Sequence, residues 1–389
     1  MKKNISILGS TGSIGSSALS IIDKKKDYFK VIFLSSNKNY KVICKQILNY
    51  QPIYFIICDK KIFLKTKKKF KKNKVKILNS FDELNLKKKI DIVITAIPGL
   101  AGLYPTISII KNSKKILIAN KESIICGWHL IKDLAIKKNT KIIPVDSEHY
   151  SIFKLIENSK INEIDKIFIT ASGGPFLNYN RKLLKNITPK EALKHPKWKM
   201  GKKISIDSST LMNKIFEFIE AQKLFNIPEE KLDIIIHPNS LVHAIVKFKN
   251  GLTNFIYHET SMVVPLANAI FDGDLTIKNF IKEKKKLIFN NLIFKKVDEK
   301  IFPVIKLKKR VNEFPATSII INSANEVLVE QFLKKNIPFT SISDIIITIL
   351  NNRNYRKYAI RKPKSLSEIN KIDIWTRKIT MEMIRLKHD

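Results

Sequence analysis

The sequence is poor in residues that interrupt or cross-link a chain. With 11 glycines and 14 prolines among 389 residues, it cannot be a collagen-like or linker-like protein. Its three cysteines, Cys44, Cys58 and Cys126, are odd in number and lack a CxxC spacing, which argues against a disulfide framework and against a structural zinc site. Long uncharged apolar runs are also missing, and the apolar patch in MKKNISILGS is too short for a signal peptide. We therefore expect a cytoplasmic protein with no membrane partner.

Acidic residues are scarce relative to basic ones. The chain has 34 aspartates and glutamates against 72 lysines and arginines, a formal net charge of +38. Such an excess is compatible with a nucleic-acid-binding protein. The lysines, however, are spread over every segment, as in 65–74 and 282–286, and form no single stripe interleaved with aromatic residues. Because net charge informs about solubility and non-specific binding and not about fold, we interpret the excess as composition and expect no nucleic-acid partner.

What the sequence does contain is an alternation of strand and helix patterns over residues 1–150. Apolar strand patterns such as 4–8, 30–35 and 90–97 are separated by helix-length segments. This predicts an α/β fold, with an N-terminal doubly wound parallel sheet of the Rossmann type and helices on both faces. Residues 151–290 change to an α+β pattern, and residues 291–389 combine an irregular connector with apolar residues at helical spacing. We therefore expect three domains with these boundaries.

The glycine-rich segment ILGSTGSIG follows the first predicted strand and opens the first predicted helix. Gly9, Gly12 and Gly15 recur every three residues, which allows a tight turn, a close approach to a pyrophosphate and close helix–strand packing. This pattern predicts a dinucleotide site at a helix N-terminus. The second strand runs into Ser35-Ser36-Asn37-Lys38, without the acid that holds the ribose 2′-hydroxyl of NAD, so NADPH is the better candidate cofactor.

Two acidic segments offer ligands for a divalent cation. Asp146 and Glu148 follow a predicted strand and would point to the same side if the chain stays extended there. The helical pattern around 214–224 places Asn213, Lys214 and Glu217 on one face. Carboxylate oxygens suit Mg²⁺ or Mn²⁺, so a third acid from this helix would complete a site begun by the first pair. The alternatives are a DxE pair without function and a solvent-facing Lys–Glu pair.

Three further segments are candidates for binding an anion or covering a site. Residues 172–175, Ser-Gly-Gly-Pro, are typical of a backbone nest for phosphate. Residues 205–210, S-I-D-S-S-T, predict a helix entry whose hydroxyl and N–H groups bind an anion. Residues 195–201, HPKWKMG, combine a histidine, a large aromatic residue and a glycine hinge, which suits a lid. Simple core packing is the alternative for Trp198.

Taken in order, these segments resemble one protein family. GSTGSIG, ANKES, VDSEH, SGGPF, HPKWKMG, the MNK segment with its following acids, and IHPNSLVH are similar to the motifs of 1-deoxy-D-xylulose 5-phosphate reductoisomerases. The resemblance runs from about residue 4 to SANE at 323–326. It implies that 1-deoxy-D-xylulose 5-phosphate is rearranged and the resulting aldehyde reduced with NADPH to 2-C-methyl-D-erythritol 4-phosphate, a step of non-mevalonate isoprenoid synthesis. It also implies a homodimer, with catalysis and dimerisation in the central domain.

The resemblance further implies a role for individual residues. The metal ligands would be Asp146, Glu148 and Glu217, and the catalytic residues Lys121, Glu148 and His195. The substrate would be bound by Lys121, Ser147, Glu148, Ser172, His195, Ser208, Asn213, Lys214 and Glu217. NADPH would be bound by Ser10, Thr11, Gly12, Ser13, Ile14, Lys38, Asn39, Asn120, Glu122 and Gly201.

The chain departs from the family in residues 259–265, which keep Met262 but lack the acid before it and the arginine after it. Another NADP-dependent Rossmann dehydrogenase is the main alternative. It would need a catalytic cysteine or an equivalent base near the carboxyl edge of the sheet. Cys126 is the candidate cysteine, and its apolar neighbours indicate burial. A basic nucleic-acid-binding protein is the second alternative, and it would leave the glycine turn and the acidic pair unexplained.

Overall fold

The computed structural model describes residues 2–198, 200–281 and 292–388. By their contacts these residues form two compact units, each built around a sheet of its own. The first unit comprises Met1–Ser123, His129–Tyr150 and Ser261–Leu287, and the second comprises Ile124–Trp128, Ser151–Thr260 and Ile288–Asp389.

A parallel sheet forms the core of the first unit. Its strands are β1 (Lys3–Leu8), β2 (Phe29–Ser36), β3 (Tyr54–Ile57), β4 (Lys76–Leu78), β5 (Ile90–Thr95), β6 (Ser113–Ile118) and β7 (Lys141–Pro144). They lie in the order β4-β3-β2-β1-β5-β6-β7, with every neighbouring pair parallel. The strands are rich in buried isoleucine and phenylalanine, as expected for a sheet covered on both faces. The strand order reverses between β1 and β5, and doubly wound sheets bind their ligands at such a switch point.

A mixed sheet forms the core of the second unit. Its strands are β8 (Ile164–Ala171), β9 (Leu232–Ile236), β10 (Val242–Phe248), β11 (Thr253–Tyr257) and β12 (Lys295–Lys296), in the order β11-β10-β8-β9-β12. β8 and β9 are parallel, whereas β10 runs antiparallel to both β8 and β11. Within the described residues β11 is therefore an edge strand.

Some helices begin where a side chain accepts a hydrogen bond from one of the first free N–H groups, as Asn39 does from Val42 and Asp59 from Ile62. The α-helices of the described residues span Ser13–Asp23, Tyr40–Tyr50, Lys60–Lys69, Leu103–Ile110, Lys121–Lys137, Ser147–Ile156, Arg181–Leu184, Pro189–Ala192, Lys202–Ser209, Met212–Phe225, Val263–Phe271, Thr317–Leu333, Ser341–Leu350, Tyr355–Ala359 and Leu366–His388. Short 3-10 helices span Phe81–Glu83, Leu100–Gly102, Ile161–Glu163, Glu229–Lys231, Ile277–Asn279 and Pro303–Lys309.

The predicted fold class is confirmed: a doubly wound parallel sheet comes first, an α+β region follows and helices close the chain. The first helix begins at Ser13, three residues earlier than the pattern predicts. Residues 282–291, where the expected α+β region ends and the connector begins, lie outside the described residues. None of the helices in the described part of the chain is long and apolar enough to cross a membrane.

The two compact units differ from the three expected domains, because packing overrides chain order. In the first unit the Val263–Phe271 helix packs on the Ser13–Asp23 helix, and Lys115 Nζ lies 2.8 Å from an Asp272 carboxylate oxygen. Residues 261–287 therefore group with the N-terminal sheet. In the second unit the Thr317–Leu333 helix packs on the Lys202–Ser209 helix, so the C-terminal helices group with residues 151–260.

Candidate active site

The glycine turn after β1 is fixed by close backbone contacts. Gly9 has a φ of +82°, and a Cβ there would lie 2.7 Å from the Ala96 carbonyl oxygen. A Cβ on Gly15 would lie 2.4 Å from the Gly9 carbonyl oxygen. The turn therefore brings the carboxyl end of β1 against that of β5 and starts a helix at Ser13. Gly12 and Ser13 are exposed at this helix N-terminus, where backbone N–H groups suit a pyrophosphate.

Ser10 lies within this turn but faces the interior. It is fully buried, and its Oγ donates to Gln46 Oε1 at 2.6 Å while its backbone N–H donates to the Ser35 carbonyl oxygen. The expectation that the Ser10 side chain contacts the cofactor is therefore corrected: its polar groups join β1 to β2. The contact of Gln46 with Ser10 was not predicted, because nothing in the sequence distinguishes Gln46 from the other polar residues of its helix.

The carboxyl end of β2 carries the groups expected near a 2′-phosphate. Thr11 Oγ1 and Ser36 Oγ lie 2.7 Å apart. Lys38 and Asn39 are exposed, and Asn39 Oδ1 caps the Tyr40–Tyr50 helix by accepting from the Val42 N–H at 3.4 Å. The structure thus places the predicted hydroxyl groups and one lysine beside the glycine turn.

Asn120 holds the loops after β5 and β6 together. Its Nδ2 donates to the carbonyl oxygens of Ile97 at 2.6 Å and Gly99 at 3.1 Å, and its Oδ1 accepts from the Ser123 N–H at 2.7 Å. The amide of Asn120 is therefore held in place by backbone groups, and the cofactor contact that the resemblance implies stays a prediction. Lys121 and the buried Glu122 follow in the first turn of the Lys121–Lys137 helix, at the carboxyl edge of the sheet.

The extended chain expected at Asp146 and Glu148 is wrong. A helix begins at Ser147, because Asp146 Oδ1 accepts from the His149 N–H at 2.6 Å in the manner of an N-cap. Asp146 Oδ2 also lies 2.5 Å from Nδ1 of the fully buried His149. Glu148 stands in the first helical turn, where its Oε2 accepts from Ser147 Oγ at 2.6 Å. Asp146 and Glu148 remain close together because both lie at the start of this helix. The contact between Asp146 and His149 was not predicted from the sequence, although aspartate is a common N-cap residue.

In the second unit, two glycines bring the predicted phosphate loop against a helix end. Gly173 and Gly174 have φ values of +82° and +63°, and the Gly174 N–H donates to Ser172 Oγ at 3.1 Å. A Cβ on Gly174 would lie 2.9 Å from the Ser208 carbonyl oxygen. The loop after β8 therefore lies beside the end of the Lys202–Ser209 helix, next to Ser208.

The helix entry expected at 205–210 is also wrong, because these residues end a helix that begins at Lys202. Ser205, Ser209 and Thr210 are buried, and their hydroxyl groups donate to backbone carbonyl oxygens of the preceding turn. Ser208 alone of the hydroxyl residues in this stretch is partly exposed. It therefore remains a candidate anion ligand, whereas the other hydroxyl groups serve the helix.

The ring of His195 contacts the loop after β8 at Ser172. Its Nδ1 accepts from the backbone N–H groups of Lys197 at 3.1 Å and Trp198 at 2.8 Å, so the ring proton is on Nε2. Nε2 lies 3.0 Å from Ser172 Oγ. Burial, together with the Lys214 ammonium, lowers the pKa of His195 to about 4. At neutral pH His195 is therefore a neutral hydrogen-bond donor beside Ser172.

The Met212–Phe225 helix carries several buried charged residues of this unit. Lys214 Nζ lies 2.7 Å from Glu217 Oε2, and Asn213 Nδ2 donates to Glu217 Oε1. Lys214 and Glu217 are 7% and 2% exposed, so the solvent-facing Lys–Glu alternative is excluded. The shared face predicted from the spacing is confirmed. The site offers a paired carboxylate and an ammonium in a region of low dielectric.

The predicted lid comprises residues 195–201, and Lys199 lies outside the described residues. The Trp198 ring meets the His243 ring edge-on with 6.2 Å between centroids, and Trp198 is only partly buried, so it is not a simple core residue. Gly201 is the exposed N-cap of the Lys202–Ser209 helix. Cys126, the candidate nucleophile of the alternative dehydrogenase, is 1% exposed, which argues against a catalytic role of this cysteine.

Of the predicted site residues, the first unit collects Thr11, Gly12, Ser13, Ile14, Lys38, Asn39, Asn120, Lys121, Glu122, Asp146, Ser147 and Glu148, and the second collects Ser172, His195, Gly201, Ser208, Asn213, Lys214 and Glu217. In the first unit these residues follow the carboxyl ends of the strands, whereas in the second unit Gly201 lies at the opposite end of the Lys202–Ser209 helix from Ser208. The first set suits a dinucleotide and a cation, and the second suits a phosphate with an acid beside it.

The low pKa of His195 has a consequence for stability. The unfolded chain takes up a proton near pH 6.5, whereas the folded protein does so only near pH 4, so folding stability is complete above 6.5 and falls as the pH drops from 6.5 to 4. We expect His195→Gln, which keeps a donor but does not titrate, to lose less stability over this range. Urea unfolding of both proteins at pH 7 and pH 4.5 measures this, and parallel losses would contradict it.

Three family models match the chain. The model described as 1-deoxy-D-xylulose 5-phosphate reductoisomerase covers residues 5–127, and the one described as the C-terminal domain of that protein covers 142–225. A third, described as DXP reductoisomerase C-terminal domain, covers 259–379.

Curated proteins and solved structures agree with these models. A protein of Pelagibacter ubique named 1-deoxy-D-xylulose 5-phosphate reductoisomerase is 49% identical over 377 residues, which cover 95% of this chain and 97% of that protein. A protein of the same name from a Wolbachia strain of Drosophila simulans is 38% identical over 99% of this chain and 98% of its own length. A crystal structure of DOX-P reductoisomerase in complex with NADPH, fosmidomycin and magnesium has a TM-score of 0.92 at 31% identity, covering 99% of this chain and 98% of that one. The enzyme of Zymomonas mobilis in complex with NADPH has a TM-score of 0.88 at 31% identity, covering 99% of both chains.

Proposed function

Since the chain belongs to the 1-deoxy-D-xylulose 5-phosphate reductoisomerase family, we propose that it rearranges 1-deoxy-D-xylulose 5-phosphate and reduces the product with NADPH to 2-C-methyl-D-erythritol 4-phosphate. The 49% identity to the Pelagibacter protein over almost the whole chain carries this proposal. The two site regions add chemical support, because a glycine turn on a doubly wound sheet suits a dinucleotide and the surroundings of Ser172 suit a phosphate. The reaction belongs to non-mevalonate isoprenoid synthesis.

NADPH would bind along the carboxyl edge of the parallel sheet. The first N–H groups of the Ser13–Asp23 helix would face the pyrophosphate, and Lys38 with Thr11 would face the 2′-phosphate. Further contacts would come from Gly12, Ser13, Ile14, Asn39, Glu122 and Gly201. Lys121 follows directly after the Asn120 bridge and would orient the substrate beside the nicotinamide.

The substrate phosphate would bind where the loop after β8 meets the Lys202–Ser209 helix. Ser172 and Ser208 offer hydroxyl groups there, and Asn213 and Lys214 offer an amide and an ammonium. His195 would donate its Nε2 proton to the same anion, because its ring stays neutral above about pH 4. Trp198 and Met200 would cover the bound sugar phosphate.

Asp146, Glu148 and Glu217 fit a divalent cation by the chemistry of their donors, since carboxylate oxygens are what Mg²⁺ and Mn²⁺ prefer. The fit is supported by Glu217, a buried carboxylate already held in place by Asn213 and Lys214. The bound cation would supply Lewis acidity at the substrate's carbonyl and hydroxyl oxygens. Ser147 donates to Glu148 and would also orient the carbon chain.

A coupled assay of the purified protein tests the proposed function. We expect NADPH oxidation only when 1-deoxy-D-xylulose 5-phosphate and Mg²⁺ or Mn²⁺ are both present, and we expect EDTA to abolish it. NADH in place of NADPH should react more slowly by at least about tenfold, since a 2′-phosphate contact is lost. Activity without a divalent metal would contradict the assignment of Asp146, Glu148 and Glu217, and a preference for NADH would contradict that of Lys38.

We also propose a homodimer that forms through β11. Within the described residues β11 is the last strand of its sheet, and a sheet edge is a template for pairing with another chain. Phe255 of β11 and the preceding Leu252 are 44% and 62% exposed. Sedimentation should give about twice the chain mass of 44.9 kDa for the wild type, and a shift towards the monomer for Phe255→Lys. A wild-type monomer would contradict this proposal.

A cytoplasmic location is proposed from the odd number of cysteines.

A further inference from the structure

Lys223 of the second unit points its ammonium group at a helix backbone. Its Nζ donates to the carbonyl oxygen of Ile125 and lies 3.0 Å from Ser318 Oγ. Ser318 Oγ in turn donates to the same Ile125 carbonyl oxygen at 3.0 Å. Ile125 and Ser318 are 0% and 3% exposed, so the three groups form a closed polar cluster, which we call the Lys223 clamp.

The clamp lies beside a break in the helix that it touches. Gly127 has non-helical angles, φ −131° and ψ 15°, inside the Lys121–Lys137 helix. Such a kink interrupts the ladder of backbone hydrogen bonds, and a carbonyl next to it takes other donors. The Ile125 carbonyl takes two of them, from Lys223 and from Ser318.

Ile125 is one helical turn after Lys121, and both residues lie with Glu122 in the part of the helix before the kink at Gly127. Because this part of the helix is short and ends at the kink, its direction depends on the hydrogen bonds to the Ile125 carbonyl oxygen. We propose that Lys223 is a positioning residue for the reaction: through Ile125 it sets the orientation of the turn that carries Lys121 and Glu122. This inference rests on the proposed function, which places Lys121 at the substrate and Glu122 at the cofactor.

The charge of Lys223 is not essential to this role. Burial lowers the pKa of Lys223 to about 8, and an amine keeps N–H donors when it loses its proton. The Ile125 carbonyl therefore stays bound on both sides of that pKa. A positioning role predicts that the number of donors matters and that the net charge does not.

The test compares Lys223→Met, which keeps the length of the side chain but removes its donors, with Lys223→Arg and with Thr317→Val. Thr317 precedes Ser318 on the same helix, is fully buried, and its Oγ1 lies 2.6 Å from Tyr355 Oη, so its variant loses a buried hydrogen bond away from the clamp. Steady-state rates and amide hydrogen exchange of residues 121–130 are measured for each holoenzyme.

We expect Lys223→Met to lower kcat by about tenfold or more, because small misplacements of reacting groups are costly. Both KM values should stay within about twofold of the wild type, and exchange in 121–130 should become faster. Lys223→Arg should restore most of kcat, and Thr317→Val should lose stability without changing kcat or this exchange. Unchanged exchange in Lys223→Met, or faster exchange with an unchanged kcat, would overturn the proposal.

If Lys223→Met does not fold, Ser318→Ala removes the second donor and is measured in the same way, with the same outcomes. Failure of the proposed function is seen separately, since the wild type itself would then oxidise no NADPH with 1-deoxy-D-xylulose 5-phosphate. Hydrogen exchange still reports on the clamp in that case, because it needs no turnover.

Discussion

Glu148→Gln is expected to lower kcat for NADPH oxidation by about a thousandfold or more while leaving the fold intact. Glutamine has the same shape as glutamate and can still accept a hydrogen bond from Ser147 Oγ, which donates to Glu148 at 2.6 Å. What is lost is a negative charge that the proposed cation site needs. Metal-assisted charge stabilisation is worth several kcal/mol, and about 4 kcal/mol corresponds to a thousandfold in rate.

Glu157→Gln is the matched control for this change. Glu157 is partly exposed and paired with Lys154 on the surface, so its replacement alters the net charge equally without touching the site. It should keep wild-type rates. Thermal unfolding of both variants in EDTA should match the wild type within a few degrees, which separates loss of the ligand from loss of the fold. A Glu148→Gln enzyme that still turns over at a wild-type rate would remove Glu148 from the metal site.

Lys214→Met is expected to be the most destabilising of these changes and to raise KM for the substrate by about a hundredfold. Methionine fills much of the same space but leaves the carboxylate of Glu217 buried without the ammonium that lies 2.7 Å away. Breaking a buried pair in this way costs about 3–5 kcal/mol of unfolding free energy. The rise in KM follows from the loss of a cation at the proposed phosphate site. Urea unfolding in EDTA and steady-state kinetics measure the two effects.

The double variant Lys214→Met/Glu217→Gln separates the two effects. It removes both charges, so most of the lost stability should return, since a neutral pair no longer has an uncompensated charge to bury. Activity should stay low, because neither the proposed phosphate ligand nor the proposed metal ligand is restored. A double variant as unstable as Lys214→Met would mean that packing, and not charge, explains the loss.

Local patterns in the sequence were sufficient to predict the nucleotide-binding half of the molecule. The glycine turn could be predicted because Gly9 and Gly15 are required by backbone contacts that admit no side chain. The shared face of Asn213, Lys214 and Glu217 could be predicted because residues three and four apart always meet on a helix. In both cases the deciding interactions are close in sequence.

Two predictions about where helices begin were wrong. The chain at Asp146 was expected to stay extended, but an N-cap bond to His149 starts a helix there. The serines at 205–210 were expected to open a helix, but they end one whose first residue is Lys202. A short polar segment fits either end of a helix, and only its packing partners decide which end it forms.

By itself the sequence determined the alternation of strands and helices in the N-terminal sheet, the glycine turn and the spacing of the buried charges, because each follows from the backbone geometry of neighbouring residues. Only the tertiary structure decided that residues 261–287 join the N-terminal sheet, that Ser10 faces Gln46, that Gly174 seats the phosphate loop beside Ser208, and that Lys223 reaches Ile125. These contacts join residues that are up to hundreds of positions apart. Their burial is decided by how the elements pack, which no window of the sequence contains.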